Sequence, residues 1–147
     1  MDFVYDSDRP EIIPWAEKRV GDVFHMDKRG IAAIRDDGEI AAVAVWDHRT
    51  AWNINVNVAS DGSRRWLSRA FLFAVFAYPF LQVGAFRCTT VVAVGNAAAL
   101  RLNQKVGFTI EGRLRDANPL GDAFVLGMTR RECRWIGNPD AEVRRAA

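Results

Sequence analysis

Residue types able to hold an anion or orient an amine are concentrated in a few short stretches of this chain. The first is Ser60-Asp61-Gly62-Ser63-Arg64-Arg65, a small polar run between a strand-like and a helix-like segment. A helix opening after Gly62 and Ser63 exposes unsatisfied backbone N–H groups, and Arg64 and Arg65 add two cations suited to a diphosphate. Taken by itself, the run is equally an ordinary helix start with solvated arginines. The second stretch is Asn53, Asn55 and Asn57, which alternate with Ile54, Val56 and Val58 so that amides line one strand face. Such amides donate and accept hydrogen bonds without ionising, which suits the orientation of an amine on a cleft floor; the competing reading is a solvated sheet face. The third is Asn96, whose side-chain oxygen precedes the alanine-rich segment Ala97 to Val106 as an N-cap.

Other chemistry-bearing types say less. His25, Asp47, His48 and Tyr78 are candidate proton handlers, but the sequence gives none of them a partner. Cys88 and Cys133 stand far apart with no C-x-x-C pair, so no disulfide framework, zinc site or other metal centre is expected. Cys88 reads as a small core residue. The aromatics Trp66, Phe71, Phe73, Phe76 and Phe80 have the spacing of core packing within one helix, not of a base-stacking surface.

The elements that must position these residues follow from periodicity and punctuation. A first helix is expected over Glu11 to Val20, ended by Gly21, and an irregular loop follows through Phe24, His25, Met26 and Asp27. Runs of β type from Ile31 to Asp36 and Glu39 to Asp47 flank Asp37-Gly38, a hairpin turn signal. A strand from Trp52 to Val58, an apolar helix from Arg64 to Tyr78 stopped by Pro79, and a strand from Phe86 to Val94 come next. After the helix Ala97 to Val106, closed by Gly107, a strand from Thr109 to Arg115 pairs with Phe124 to Arg131. The sum is an α/β domain of α+β type, a mixed and mostly antiparallel sheet flanked by helices.

The spacing of Asn96, Leu100, Leu102, Gly107 and Phe108, followed by Glu111-Gly112 and Arg115, resembles the C-terminal half of the GNAT superfamily, the acetyl-CoA-dependent N-acetyltransferases. A weaker likeness continues through Met128 to Arg131. The resemblance implies that acetyl-CoA is the co-substrate and that its pyrophosphate lies in the turn Ser60 to Arg65, at Gly62, Ser63, Arg64 and Arg65. Only Gly62 survives of the family's glycine pattern there. It implies further that main-chain groups near Asn57 and Val58 hold the pantetheine arm and polarise the thioester, and that Asn96 contacts the same arm. Asn103 stands where many relatives have a tyrosine that protonates the departing thiolate, and Val91 stands at or near the position of a glutamate that draws a proton from the amine. Neither residue ionises in that role, so catalysis is assigned to Asn57 and Asn103 as positioning amides.

The resulting expectation is direct acetyl transfer to a primary amine of unidentified acceptor in a ternary complex. Its alternative is a catalytically impaired acyl-CoA-binding or interaction module that keeps the fold. The 147 residues suit one domain over 1–137 with a flexible tail over 138–147. A net charge of +2 and a pI near 8.8 are far from the basic excess of nucleic-acid binders. The longest apolar run, Ala70 to Leu81, falls short of the ~18 residues of a membrane span and contains Pro79. With no secretory signal pattern at the N-terminus and no disulfide spacing, a cytoplasmic protein is expected. A central helix apolar on nearly every side suggests a homodimer.

Overall fold

The computed structural model describes residues 1–25 and 27–137; the tail anticipated at 138–147 lies outside the described residues. Seven strands form one sheet in the order β1-β2-β3-β4-β5-β7-β6, with β1 at Asp2–Tyr5, β2 at Arg29–Ile34, β3 at Ile40–Asp47, β4 at Asn53–Ser60, β5 at Arg87–Ala93, β6 at Thr109–Asn118 and β7 at Gly121–Thr129. Helix α1 spans Ile12–Val20, α2 Arg69–Ala77 and α3 Ala97–Val106.

β3 lies at the centre of the core and is buried along its whole length, since it carries apolar side chains on both faces. Val43 and Val45 pack with Ile12, Ile13 and Ala16 of α1, and Ala44 and Trp46 pack with Phe71, Val75 and Phe76 of α2. The β2–β3 hairpin turns at Gly38, which takes a φ of +86° that only glycine adopts without strain. Asp37 Oδ1 accepts the Glu39 N–H at 3.0 Å and fixes the corner. Helix α1 tolerates Pro14 because the residue sits in the first turn, where its missing N–H has no intrahelical partner to lose.

Helix α2 begins five residues later than the sequence suggested. Its N-cap is Ser68, whose Oγ accepts the Phe71 N–H at 3.1 Å. The preceding segment from Arg64 stays irregular because Trp66 turns inward and is buried, donating from Nε1 to the Ser63 carbonyl at 2.7 Å. Pro79 does not stop the chain's helical course either. A π-helical turn over Tyr78–Val83 carries the proline in its first two positions, and Gly84, at φ +81°, ends it.

Among the described residues only one strand pair is parallel. β4 and β5 pair through Asn53↔Arg87, Ile54↔Cys88 and Asn55↔Thr89, and no further. Beyond that point β4 remains bound to β3 as far as Ser60, and β5 remains bound to β7 as far as Ala93. The two halves of the sheet therefore part after Asn55 and Thr89.

Candidate active site

The parting of β4 and β5 opens a cleft of about 410 Å³. One wall is the edge of β4 from Val56 to Ser60, and the other is β5 from Thr90 to Ala93 together with α3. Trp66, Val75, Phe76 and Phe108 form an apolar floor. Over this stretch the β5-facing edge of β4 has no strand beside it, so its main-chain groups are offered to a ligand as an unpaired strand edge.

Four of the residues singled out in the sequence line this cleft: Asn57, Val58, Asn96 and Asn103. Asn96 caps α3, its Oδ1 accepting the Ala99 N–H at 3.1 Å. Asn103 donates from Nδ2 to the carbonyl of Ala99, one turn back, at 2.8 Å. Val91 also lines the cleft and is 44% exposed. The other four lie elsewhere. Gly62, Ser63, Arg64 and Arg65 are on the loop joining Ser60 to Trp66 at the cleft's rim and do not line the cavity. Gly62 adopts φ +95°, and the two N–H groups of this turn are used locally: Gly62 donates to Ser60 Oγ at 3.2 Å, and Ser63 to Asp61 Oδ1 at 2.8 Å. Hydrogen bonding from Ser63 and the Arg35 guanidinium 2.9 Å away hold the Asp61 carboxyl below its ordinary value. Arg64 and Arg65 are exposed, as is Arg69 in the first turn of α2.

One residue was missed. Arg19, in the last turn of α1, is the only ionisable side chain lining the cleft among the described residues. Its guanidinium lies 4.2 Å over the Trp15 ring and donates to the carbonyl of Ser60 at 3.3 Å, where the loop to Trp66 begins. The sequence offers no local signal for this, since a basic residue near a helix C-terminus is ordinary dipole chemistry.

On the sheet face that carries α1, the strand amides form a directed hydrogen-bond chain. Arg87 Nε donates to Thr89 Oγ1 at 3.1 Å, Thr89 Oγ1 to Asn53 Oδ1 at 2.6 Å, and Asn53 Nδ2 to Asn55 Oδ1 at 3.1 Å. Arg87 also pairs with Glu111 at 2.6 Å; the two side chains lie across Gly127, where any Cβ would collide with both. Opposite Asn55 in the β3–β4 register stands Asp47, 3% exposed. Of the remaining candidates, His25 and His48 have ring centroids 4.6 Å apart beside Asp47, and Tyr78 packs on Trp46 at 4.4 Å, away from the cleft. Cys88 is buried and its thiol is pushed far up by desolvation, so it is no nucleophile. Among the described residues no group of three or more His, Cys, Asp or Glu side chains is placed to hold a metal.

A seven-stranded, mostly antiparallel sheet that parts at its one parallel pair, with helices on both faces, is the fold of the GNAT acetyltransferases. Solved structures with this fold superpose on the chain. A mutant of spermidine N-acetyltransferase SpeG from Vibrio cholerae matches with a TM-score of 0.64 at 14% identity, over 87% of this chain and 78% of that one. Ribosomal-protein-S5-alanine acetyltransferase from Vibrio fischeri matches with a TM-score of 0.62 at 12% identity, over 74% of this chain and 63% of that one. At such identities the likeness is one of fold. No family model matches the sequence, and no curated protein does.

Proposed function

We propose that the protein is an N-acetyltransferase that moves the acetyl group of acetyl-CoA to a primary amine by direct attack within a ternary complex. The observation that carries the reading is the open edge of β4 beyond Asn55, facing the capped N-terminus of α3 across a cleft with an apolar floor. Bound acetyl-CoA supplies an activated thioester. The chain's own part is to hold it: main-chain groups at Asn57 and Val58 engage the pantetheine arm and polarise the carbonyl, and Asn96 steadies the arm. Phosphates are assigned to the rim, where Arg19 lies against the Ser60 carbonyl and the exposed Arg64 and Arg65 follow; the Gly62 and Ser63 N–H groups are already bonded within the turn, so the cations carry this part of the reading. The amine nitrogen forms the new C–N bond as the C–S bond breaks, with the thiolate leaving and the amine's proton passing to solvent. Asn103 orients without ionising.

A second reading has its own support. Arg19 is the only ionisable side chain lining the cleft, so no carboxylate or histidine among the described residues serves there as acid or base. Such help is worth about 10²–10⁴-fold in rate, and a fold lacking it also suits an acyl-CoA-binding module. Calorimetric titration with acetyl-CoA tests the shared premise, and thiol release with amines separates the two readings. Saturable binding that falls about threefold or more in Arg19→Ala, and again in the double variant Arg64→Ala/Arg65→Ala, is expected. Absence of binding by the folded protein overturns both. We further propose a homodimer, formed over the exposed side of α2 at Phe73 and Leu81 of the following turn, which light scattering checks. No helix among the described residues is long and apolar enough to cross a membrane.

A further inference from the structure

We infer that the hydroxyl of Thr90 is a second donor to the acyl carbonyl, placed on the β5 wall across from the main-chain donor of β4. This rests on the transferase reading and adds a side chain to its carbonyl-polarising groups. Thr90 lines the cleft, yet the residue as a whole is only 6% exposed. Of the two buried polar residues, Asp47 lies outside the cleft and Thr90 within it. Thr90 Oγ1 has no hydrogen-bond partner among the described residues, and it is not one of the occluded, unpartnered atoms, which are Asp47 Oδ1, Ser63 Oγ and Arg130 Nε. The oxygen therefore opens into the cleft that the residue lines. A hydroxyl left unpaired among apolar side chains is costly, and a ligand that brings an acceptor removes that cost.

Strand geometry sets this hydroxyl at the narrow end of the cleft. The last rung of the β4–β5 ladder joins Asn55 to Thr89, so Val56 and Thr90 are the first residues past it. Alternation turns both toward α2: Cys88 and Val92, on either side of Thr90, share a core cluster with Val56, whereas Thr89 bonds Asn53 on the opposite face. Val56, Val75, Phe76 and Phe108 line the same cleft and offer no polar side-chain atom. From Ser60 at the rim to Val56 the strand runs roughly 13 Å at the usual rise per residue. With phosphates held at the rim, the acyl end of the arm is the part of the ligand that reaches this depth.

A carbonyl oxygen accepts two hydrogen bonds, and the two walls supply them from opposite sides. As the amine nitrogen bonds to the carbonyl carbon, an electron pair moves onto the oxygen, where both donors stabilise it. The pair returns to the carbonyl as the C–S bond breaks, and Thr90 keeps its proton throughout. In a site with apolar walls a donor of this kind is typically worth about 10²–10³-fold in turnover.

The experiment compares the full chain with Thr90→Val, which keeps the shape and removes the hydroxyl, and Thr90→Ser, which keeps the hydroxyl. Calorimetric titrations use acetyl-CoA and coenzyme A, the second of which lacks the carbonyl. Isotope-difference infrared spectra with carbonyl-¹³C acetyl-CoA read the stretch of the bound carbonyl. Thr90→Val is expected to weaken acetyl-CoA binding about two- to tenfold while leaving coenzyme A binding unchanged. Its carbonyl stretch should lie above the parent's, nearer that of the free thioester, and Thr90→Ser should match the parent. Without ligand, Thr90→Val should unfold at the parent's temperature or higher, because no protein hydrogen bond is lost; a structural role would lower it. An equal stretch in parent and Thr90→Val, an equal loss of affinity for both ligands, or a serine variant that behaves as the valine one overturns the inference and leaves the cofactor reading standing. Failure of the folded parent to bind either ligand overturns both.

Discussion

Asn96 can be made to show whether it serves the fold, the ligand or both, because its two polar atoms have separate tasks. Oδ1 caps α3 through the Ala99 N–H at 3.1 Å, and Nδ2 has no protein acceptor among the described residues while the residue lines the cleft. Asn96→Ala removes both. The lost cap costs about 1 kcal/mol, which in a chain of this size lowers Tm by about 2–4 °C. Asn96→Ser keeps a capping oxygen and discards the amide donor. Its stability should match the parent within a few tenths of a kcal/mol. If Nδ2 donates to the acetyl-CoA arm, the serine variant loses about 0.5–1.5 kcal/mol of binding, a two- to tenfold rise in Kd. Urea unfolding and calorimetric titration on the same preparations read the two effects independently. A serine variant with unchanged stability and unchanged affinity would refute the ligand role and leave Asn96 as a cap alone.

Two further outcomes are expected from the site's supports. Asp61 has a folded-state pKa below its ordinary 3.8, so the stability it contributes is present above about pH 4 and is lost as pH falls through the lower, folded value. Asp61→Asn should therefore cost about 1 kcal/mol at neutral pH, and the difference from the parent should shrink as the pH falls below about 4, as followed by urea unfolding across pH. Trp46→Phe removes the buried Nε1–H bond to the Val75 carbonyl at 3.0 Å and the stacking on Tyr78, which should lower stability by about 1–3 kcal/mol in thermal unfolding.

The parts of the fold legible in the sequence are those decided by neighbours in the chain. The cap at Asn96, the hairpin at Asp37-Gly38 and the alternation of Asn53, Asn55 and Asn57 are local chemistry, and the structure has all three. The start of α2 was not local. Ser63 and Ser68 both offer capping oxygens, and the choice of Ser68 follows from the demand that Trp66 close the cleft floor. Pro79 reads as a stop in sequence because a proline inside a helix costs a hydrogen bond; placed at the head of a new π-helical turn it costs none. The parting of β4 and β5 is less legible still, since it depends on which partners each strand keeps on its far side. Arg19 becomes visible only once that parting is known.

The edge and the faces of β4 are separate surfaces, so under the proposed reading a cleft lined, among the described residues, by one ionisable side chain can still suit acyl transfer. Successive residues of a strand face opposite sides, so the strand that presents its edge to the cleft also sends Asn53, Asn55 and Asn57 to the α1 face. Under the proposed reading the open edge holds the thioester through main-chain groups, while the amides belong to the adjoining face. The two meet where the β4–β5 ladder ends at Asn55 and Thr89. A substitution that closes the parting, by extending the parallel ladder past Val56, would remove the open edge on which the proposed cofactor site rests. Proximity created at that one point is the larger resource here: positioning can supply about 7–11 kcal/mol toward a barrier, against the smaller share that a missing acid or base would have given.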